Sequence, residues 1–260
     1  MPFTEGPGYD DGLLDLLKSM IADYGDSPAS VHVDLNLQDG VTPQSGGDDG
    51  NTADGDILQN INILMGSDFG DTLICAEDGI VATIFGGSGN DTLYGGGRVY
   101  FLCGGDGDDV LHLNLNIKNV PGGTTILPEH IGGLDGGNGS DTLMLSCNDG
   151  GGVALDLSGL VRAGKITGIE HLDITGDADD ANTLTLKVSD VLDTTGGADT
   201  LWVRGDANDS VTTTDLGWTH VGVETGADGQ QYNHYSGYAG STLVNLMIDA
   251  NLATQNFEHS

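Results

Sequence analysis

The sequence predicts an all-β fold, and three observations carry that prediction. Short runs of β-branched and aliphatic residues alternate with polar ones and are separated by turns rich in glycine, aspartate and asparagine. A nine-residue phrase with a fixed apolar position recurs in the middle of the chain. From Val31 onward, helical periodicity gives way to strand and turn signals. Strands this short and this regularly spaced fit a solenoid, a sandwich or a barrel.

Taken in order, "DDGLLDLLKSMIADYG" places Leu13, Leu14, Leu16, Leu17, Met20, Ile21 and Tyr24 on one helical stripe, with Asp10 or Asp11 as cap and Gly25 as stop. Residues 1–30 therefore read as a helical cap that covers an apolar face of its neighbour or docks a partner. "VHVDLNL" alternates next, with Val31, Val33, Leu35 and Leu37 on one face, and residues 38–56 read as a loop. "ILQNINILMGSDFGDTLI" leads into the repeats. "VLHLNLNIK" sets Leu111, Leu113, Leu115 and Ile117 against His112, Asn114, Asn116 and Lys118; a loop with Pro121 and Pro128 then interrupts the pattern before it resumes. Residues 31–150 thus form the repeat domain. Residues 151–260, with "VALDL", "HLDIT", "TLTLKV" and "TLWVR", read as a C-terminal β domain expected to continue the solenoid and end in antiparallel strands.

The repeated phrase is G-G-x-G-x-D-x-U-x, with U a large apolar residue. "GGSGNDTLY" (86–94), "GGDGDDVLH" (104–112) and "GGNGSDTLM" (136–144) fit it fully, and "GSDFGDTLI" (66–74) fits loosely. "GGGRVYFLC" (95–103) keeps its paired glycines and Leu102 but has Arg98 and Tyr100 where a glycine and the aspartate belong. Leu93, Leu102 and Leu111 recur every nine residues, and Ile84 extends the series. A linker has no reason to preserve that position; a solenoid core one side chain thick does. If each nonapeptide is half a coil, Asp91 and Asp109, eighteen residues apart, lie above one another on one edge. The decayed copy then falls on the opposite edge.

Stacked coils lie about 4.8 Å apart. Two carboxylates at roughly 5 Å repel by about 3 kcal/mol at an effective dielectric of 20. A divalent cation between them reverses that sign. Ligation by oxygen alone favours calcium over zinc or copper, with magnesium second because it demands tighter octahedral geometry. Folding of residues 60–145 is therefore expected to depend on calcium.

Composition agrees. The chain has 260 residues and a formal charge of −33, with 34 aspartates, 6 glutamates and only 7 lysines and arginines. Nucleic acids and anionic membranes are poor partners for such a surface. The bias toward aspartate suits turns and metal loops more than a merely solubilising surface. No apolar run approaches the ~18 residues of a membrane helix, so no membrane insertion is expected. The N-terminal residues lack the basic and apolar regions of a secretory signal peptide. Cys75, Cys103 and Cys147 read as small buried hydrophobes or as one disulfide and a spare.

These repeats resemble the RTX (repeats-in-toxin) proteins, which Gram-negative bacteria export by the type I pathway. The resemblance implies a calcium-bound parallel β-roll. Carried over position by position, it implies metal carboxylates at Asp91, Asp109 and Asp141, with Asp71 provisional because it precedes Asp91 by twenty residues. It further implies carbonyl ligands from Gly86, Ser88, Gly104, Asp106, Gly136 and Asn138. "GIEHLDITGDADDANTLTLKVSDVLD" and "DGQQYNHYSGYAGSTLVNLMID" look like the C-terminal region of large type I-secreted adhesins, and "STLVNLMIDANLATQNFEHS" is a candidate export signal. The function this implies is a non-catalytic calcium-binding module, secreted or held at the cell surface, within an adhesin or surface-layer protein. Its partners would be calcium, the type I secretion machinery and a cell-surface or carbohydrate target. The alternative is the secretion and folding domain of an RTX protease, lipase or epimerase; a third reading is a small partner-binding protein complete in itself. Extracellular modules bind calcium at roughly 0.1–1 mM, so such sites would stay empty before export and fill afterwards.

Other signals carry less. "GLVRAGKIT" nearly spells a phosphate-binding loop, but Ile166 replaces the required Ser/Thr. "RGD" at 204–206 sits where a turn is due. His32 and His112 fall on the polar faces of strands and read as exposed. Trp202, Trp218 and "YNHYSGY" read as packing of the C-terminal domain or as a sugar-binding surface. No catalytic motif is present, and no enzyme is expected.

Overall fold

The computed structural model describes residues 21–44, 55–76, 82–95, 99–114, 124–126, 131–146, 152–176, 181–255 and 257. Among the described residues the fold is all-β, with few helices, two parallel sheets, a third that is parallel except at one end, and one two-stranded antiparallel sheet. The first sheet stacks Ile21–Asp23, Ile63–Met65, Ala82–Ser88, Val99–Asp106, Leu134–Asn138 and Ile166–Thr167 in that order. The second begins with His32–Asp34, Thr72–Ile74, Thr92–Tyr94, Val110–Asn114, Thr142–Ser146, His171–Asp173 and Thr200–Arg204. It ends in an antiparallel meander of Thr242–Asp249, Gln231–Ala239 and Thr219–Thr225. The third holds Thr124–Ile126, Val153–Asp156, Thr183–Leu186, Ser210–Thr213 and Ala253–Gln255.

The D-x-U spacing explains why the chain builds this way. In a strand, alternate side chains face opposite sides, so a three-residue strand offers its central residue to the interior. Thus Leu64, Ile84, Leu102, Leu134 and Ile166 stand in register as one buried file. Val33, Leu73, Leu93, Leu111, Leu143, Leu172 and Val203 form a second. The nine-residue series from Ile84 to Leu111 alternates between these two files, each member fully buried. Each such leucine contributes roughly 1.5–3 kcal/mol by its burial. Leu155, Leu184 and Val211 make the third file.

The interruption after Asn114 has a structural consequence. Strand Thr124–Ile126 founds the third sheet, so the step between partners in the second sheet lengthens from eighteen residues, Leu93 to Leu111, to thirty-two, Leu111 to Leu143. Pairing then runs across residue 150 without a break, since Thr142–Met144 pairs with His171–Asp173. Two short helices lie beyond it. In α1 (Leu157–Arg162) the Asp156 carboxylate accepts the Gly159 N–H and caps the start. In α2 (Asp190–Thr194) Asp190 is buried, accepting a hydrogen bond from the Ser158 hydroxyl.

Several expectations are corrected. Ile21–Asp23 is not helical: it pairs in parallel with Ile63–Met65, and the Tyr24 N–H donates to the Met65 carbonyl at 3.0 Å. The exposed ladder groups of the first sheet decide against the local helical stripe; Leu13, Leu14, Leu16, Leu17 and Met20 lie outside the described residues. Strand His32–Asp34 stops early because the Asp34 carboxylate turns back to accept the Asn36 N–H and caps the 3-10 turn Leu35–Leu37. The expected loop at 38–56 contains strand Asp39–Pro43, which pairs antiparallel with Ile57–Gln59. The segment resembling a phosphate loop is α1 followed by the buried strand residue Ile166. His112 is not simply exposed: it stacks on Tyr94 with ring centroids 4.2 Å apart and planes 11° apart, and burial holds its pKa below the ordinary imidazole value. Cys75 is buried and Cys103 is a half-buried free thiol; Cys147, Arg98, Leu115 and Ile117 lie outside the described residues. Among the described residues, no helix is long and apolar enough to cross a membrane.

Candidate functional site

The G-G-x-G-x-D turns connect the first sheet to the second along one edge, and the parallel register stacks them directly. Gly87, Gly105 and Gly137 are partners, as are Ser88, Asp106 and Asn138. The second glycine is required sterically. Gly105 has φ +117°, and a Cβ there would overlap the Gly87 carbonyl.

The aspartates form a continuous column. Asp91 N–H donates to Asp109 Oδ1 at 2.8 Å, and Asp109 N–H to Asp141 Oδ1 at 2.8 Å. Above them, Val31 N–H donates to Asp71 Oδ1 and Asp71 N–H to Asp91 Oδ1, both at 2.7 Å. Below, Asp141 N–H donates to Glu170 Oε2 at 2.9 Å. Each carboxylate thus binds the backbone of the preceding turn through one oxygen. The two extra residues before Asp91 are absorbed, since Leu73 pairs directly with Leu93, and Asp71 belongs to the column. Asp141, whose partner across the interruption was not legible, stacks on Asp109.

The second oxygen is where these aspartates differ from one another. Asp71 Oδ2 accepts the Ser67 N–H at 2.5 Å and the Ser67 hydroxyl at 3.1 Å. Oδ2 of Asp91, Asp109 and Asp141 has no hydrogen-bond partner although each side chain is at most 1% exposed. Leaving such an oxygen charged and unpaired in the interior costs several kcal/mol unless something neutralises it. Burial is the first cause of the resulting pKa shifts. Asp91 is pushed up to about 8, against the opposing hydrogen bond from the Asp71 N–H and with help from the charges of Asp71 and Asp109. Asp141 is pushed up to about 7, with Asp109, Glu170 and Asp108 adding repulsion. Asp109, Asp71 and Glu170 are raised for the same leading reason.

The carbonyls expected as ligands fall into two groups. The position-one carbonyls lie beside the Oδ2 atoms of the column. The place where a Gly86 Cβ would stand is flanked by Asp91 Oδ2 and the Gly104 carbonyl. The same place at Gly104 is flanked by Asp109 Oδ2 and the Gly136 carbonyl, and at Gly66 by Asp71 Oδ2 and the Gly86 carbonyl. The position-three carbonyls of Asp106 and Asn138 each accept a hydrogen bond within the turns: Asp106 from the Gly89 N–H at 2.7 Å and Asn138 from the Gly107 N–H at 2.8 Å. Ser88 lies in register with Asp106, and its N–H donates to the Ser67 carbonyl at 3.2 Å. Among the described residues, no three His, Cys, Asp or Glu side chains converge as a metal-holding group. A cation in this column would therefore be held by carboxylate Oδ2 atoms together with backbone carbonyls.

Three members of the column were not anticipated. The Gly168 carbonyl flanks the Cβ position of Gly136 beside Asp141 Oδ2, Glu170 ends the column, and Ser67 satisfies Asp71. Glu170 was findable. It stands two residues before buried Leu172, as each column aspartate stands two before its own buried leucine.

The third sheet provides an internal control. Val153 N–H donates to Asn182 Oδ1 at 2.7 Å, and Asn182 N–H to Asp209 Oδ1 at 2.8 Å, again two residues before the buried Leu184 and Val211. Here every remaining polar atom is paired: Asn182 Nδ2 donates to the Ile174 carbonyl, and Asp209 Oδ2 accepts the Asp206 N–H. The ladder is a structural device; the orphan carboxylate oxygens belong to the glycine-rich turns. Comparison with protein families, curated proteins and solved structures finds no match to the chain.

Proposed function

We propose that this chain is a non-catalytic calcium-binding module whose glycine-rich turns hold cations along the aspartate column. The carrying observation is the set of buried, unpartnered Oδ2 atoms of Asp91, Asp109 and Asp141 beside the carbonyls of Gly104, Gly136 and Gly168. That donor set is all oxygen and carries one negative charge per turn, which suits calcium better than a softer metal. Bound calcium would supply the positive charge that lets neighbouring carboxylates remain ionised in the interior. Ser67 performs that neutralising role for Asp71 by hydrogen bonding, which makes Asp71 the weakest candidate ligand.

In this reading the two-sheet region is a calcium-bound β-roll of the RTX kind, and the strands beyond it extend the same solenoid. The weak affinity expected of extracellular sites lets the −33 chain stay unfolded before type I export and fold outside the cell, as part of an adhesin or surface-layer protein. Calorimetric calcium titration of the chelator-treated chain, followed in parallel by circular dichroism, tests it. Binding at submillimolar to millimolar calcium with a gain of β signal is expected. Full β signal in excess chelator, or nanomolar affinity, would refute it.

A further inference from the structure

The outer face of the second sheet carries a cleft that the calcium reading does not use. It holds about 430 Å³, within the range of roughly 300–1,000 Å³ common to small-molecule sites. Strand alternation sends Leu172 and Val203 inward and leaves His171, Asp173, Trp202 and Arg204 on the outside. Trp202 stacks on His171 of the neighbouring strand, with centroids 6.1 Å apart and planes 17° apart. Tyr232 stands edge-on to Trp202 at 4.9 Å and 89°. The Tyr232 hydroxyl donates to Asp228 Oδ2 at 2.8 Å, which pins the 226–228 turn over the cleft. Asp173 and Arg204 are direct partners in the sheet register and complete the lining.

The chemistry of this lining selects among ligands. A wholly apolar ligand would leave Arg204, Asp173 and Asp228 to be desolvated without partners. A phosphorylated ligand would face two carboxylates inside a chain of charge −33. A cation would meet the Arg204 guanidinium. A neutral pyranose satisfies all three constraints. Its C–H face suits an indole plane, and its hydroxyls both donate and accept, which matches a guanidinium flanked by carboxylates. We propose that this cleft binds an uncharged saccharide, with a pyranose ring on Trp202 and its hydroxyls between Arg204 and the carboxylates of Asp173 and Asp228.

The inference stands independently of the cation column and is tested separately. The full chain, in calcium, is applied to an array of neutral and acidic glycans as wild type, Trp202→Ala, Arg204→Ala and Val221→Thr, with circular dichroism recorded for each. Val221 is an exposed edge-strand residue that does not line the cleft, and exposed Arg204 ends its strand, so both changes spare the core. Expected is retention of neutral glycans by wild type and Val221→Thr, weakened roughly tenfold or more by each of the other two variants. No neutral glycan retained, retention of acidic glycans only, or retention indifferent to Trp202→Ala and Arg204→Ala would overturn it.

Discussion

Replacing Asp91 by asparagine separates the two jobs of that side chain. Asparagine keeps an Oδ1 that accepts the Asp71 N–H, so the ladder persists, but it exchanges the unpartnered Oδ2 for an NH2 group facing the Gly104 carbonyl. Without calcium the change removes a carboxyl that must take up a proton to be buried. A carboxyl at about 8 when folded and 3.8 when unfolded costs ~4 kcal/mol at pH 7, and solvent screening reduces this to about 2 kcal/mol. In chelator at pH 7, Asp91→Asn should therefore favour the folded state roughly thirtyfold, read as a larger residual β signal. In calcium that advantage is offset. A site of roughly 0.1–1 mM affinity stabilises the wild type by about 1.4–2.7 kcal/mol at ~10 mM calcium, and the variant forfeits that gain. Circular dichroism of both proteins in chelator and urea unfolding in calcium read the two effects. A smaller β signal for the variant in chelator, or an equal calcium response in both proteins, would refute the claim that Oδ2 belongs to a buried carboxylate waiting for a cation.

The remaining predictions address the same column and its support. In chelator, stability should fall as pH rises from 3.8 to about 8: with Asp91 held near 8 and Asp141 near 7, the folded state binds more protons than the unfolded one across that window. In calcium the dependence should invert, because protons and cations compete for Oδ2; thermal melts across pH in both conditions check this. Gly104→Ala would push a Cβ into Asp109 Oδ2 and the Gly136 carbonyl, so calorimetry should show calcium binding lost together with about 1–3 kcal/mol of stability. Gly164→Ala meets open space at φ +64° and should cost only ~1 kcal/mol of backbone strain with calcium binding intact. Leu102→Ala, from a fully buried position in the first file, should cost about 2–5 kcal/mol by denaturant unfolding.

What could be read from the sequence was local. The inward direction of Ile84, Leu93, Leu102 and Leu111 and the eighteen-residue relation of Asp91 to Asp109 follow from period-two strands and constant turn length, and the structure keeps both. The contact of Asp109 with Asp141 was hidden because the interruption between them destroys the spacing; only the alignment of their strands brings them together. Glu170 carried the two-residue offset from its leucine, but it stands outside any glycine-rich phrase. Ile21–Asp23 illustrates the opposite failure. Its helical stripe is real in sequence, yet an unpaired sheet edge offers hydrogen bonds that no local pattern encodes.

By itself, the sequence determined the inward residues of the repeats, where the chain must bend and that Asp91 and Asp109 share one edge, because those depend on constant local spacing. The tertiary structure alone decided which turns stack, that a third sheet begins at Thr124, and which carboxylate oxygens end without a partner. Those outcomes depend on backbone groups separated by tens of residues, and hydrogen-bond satisfaction between them is settled only when the sheets pair.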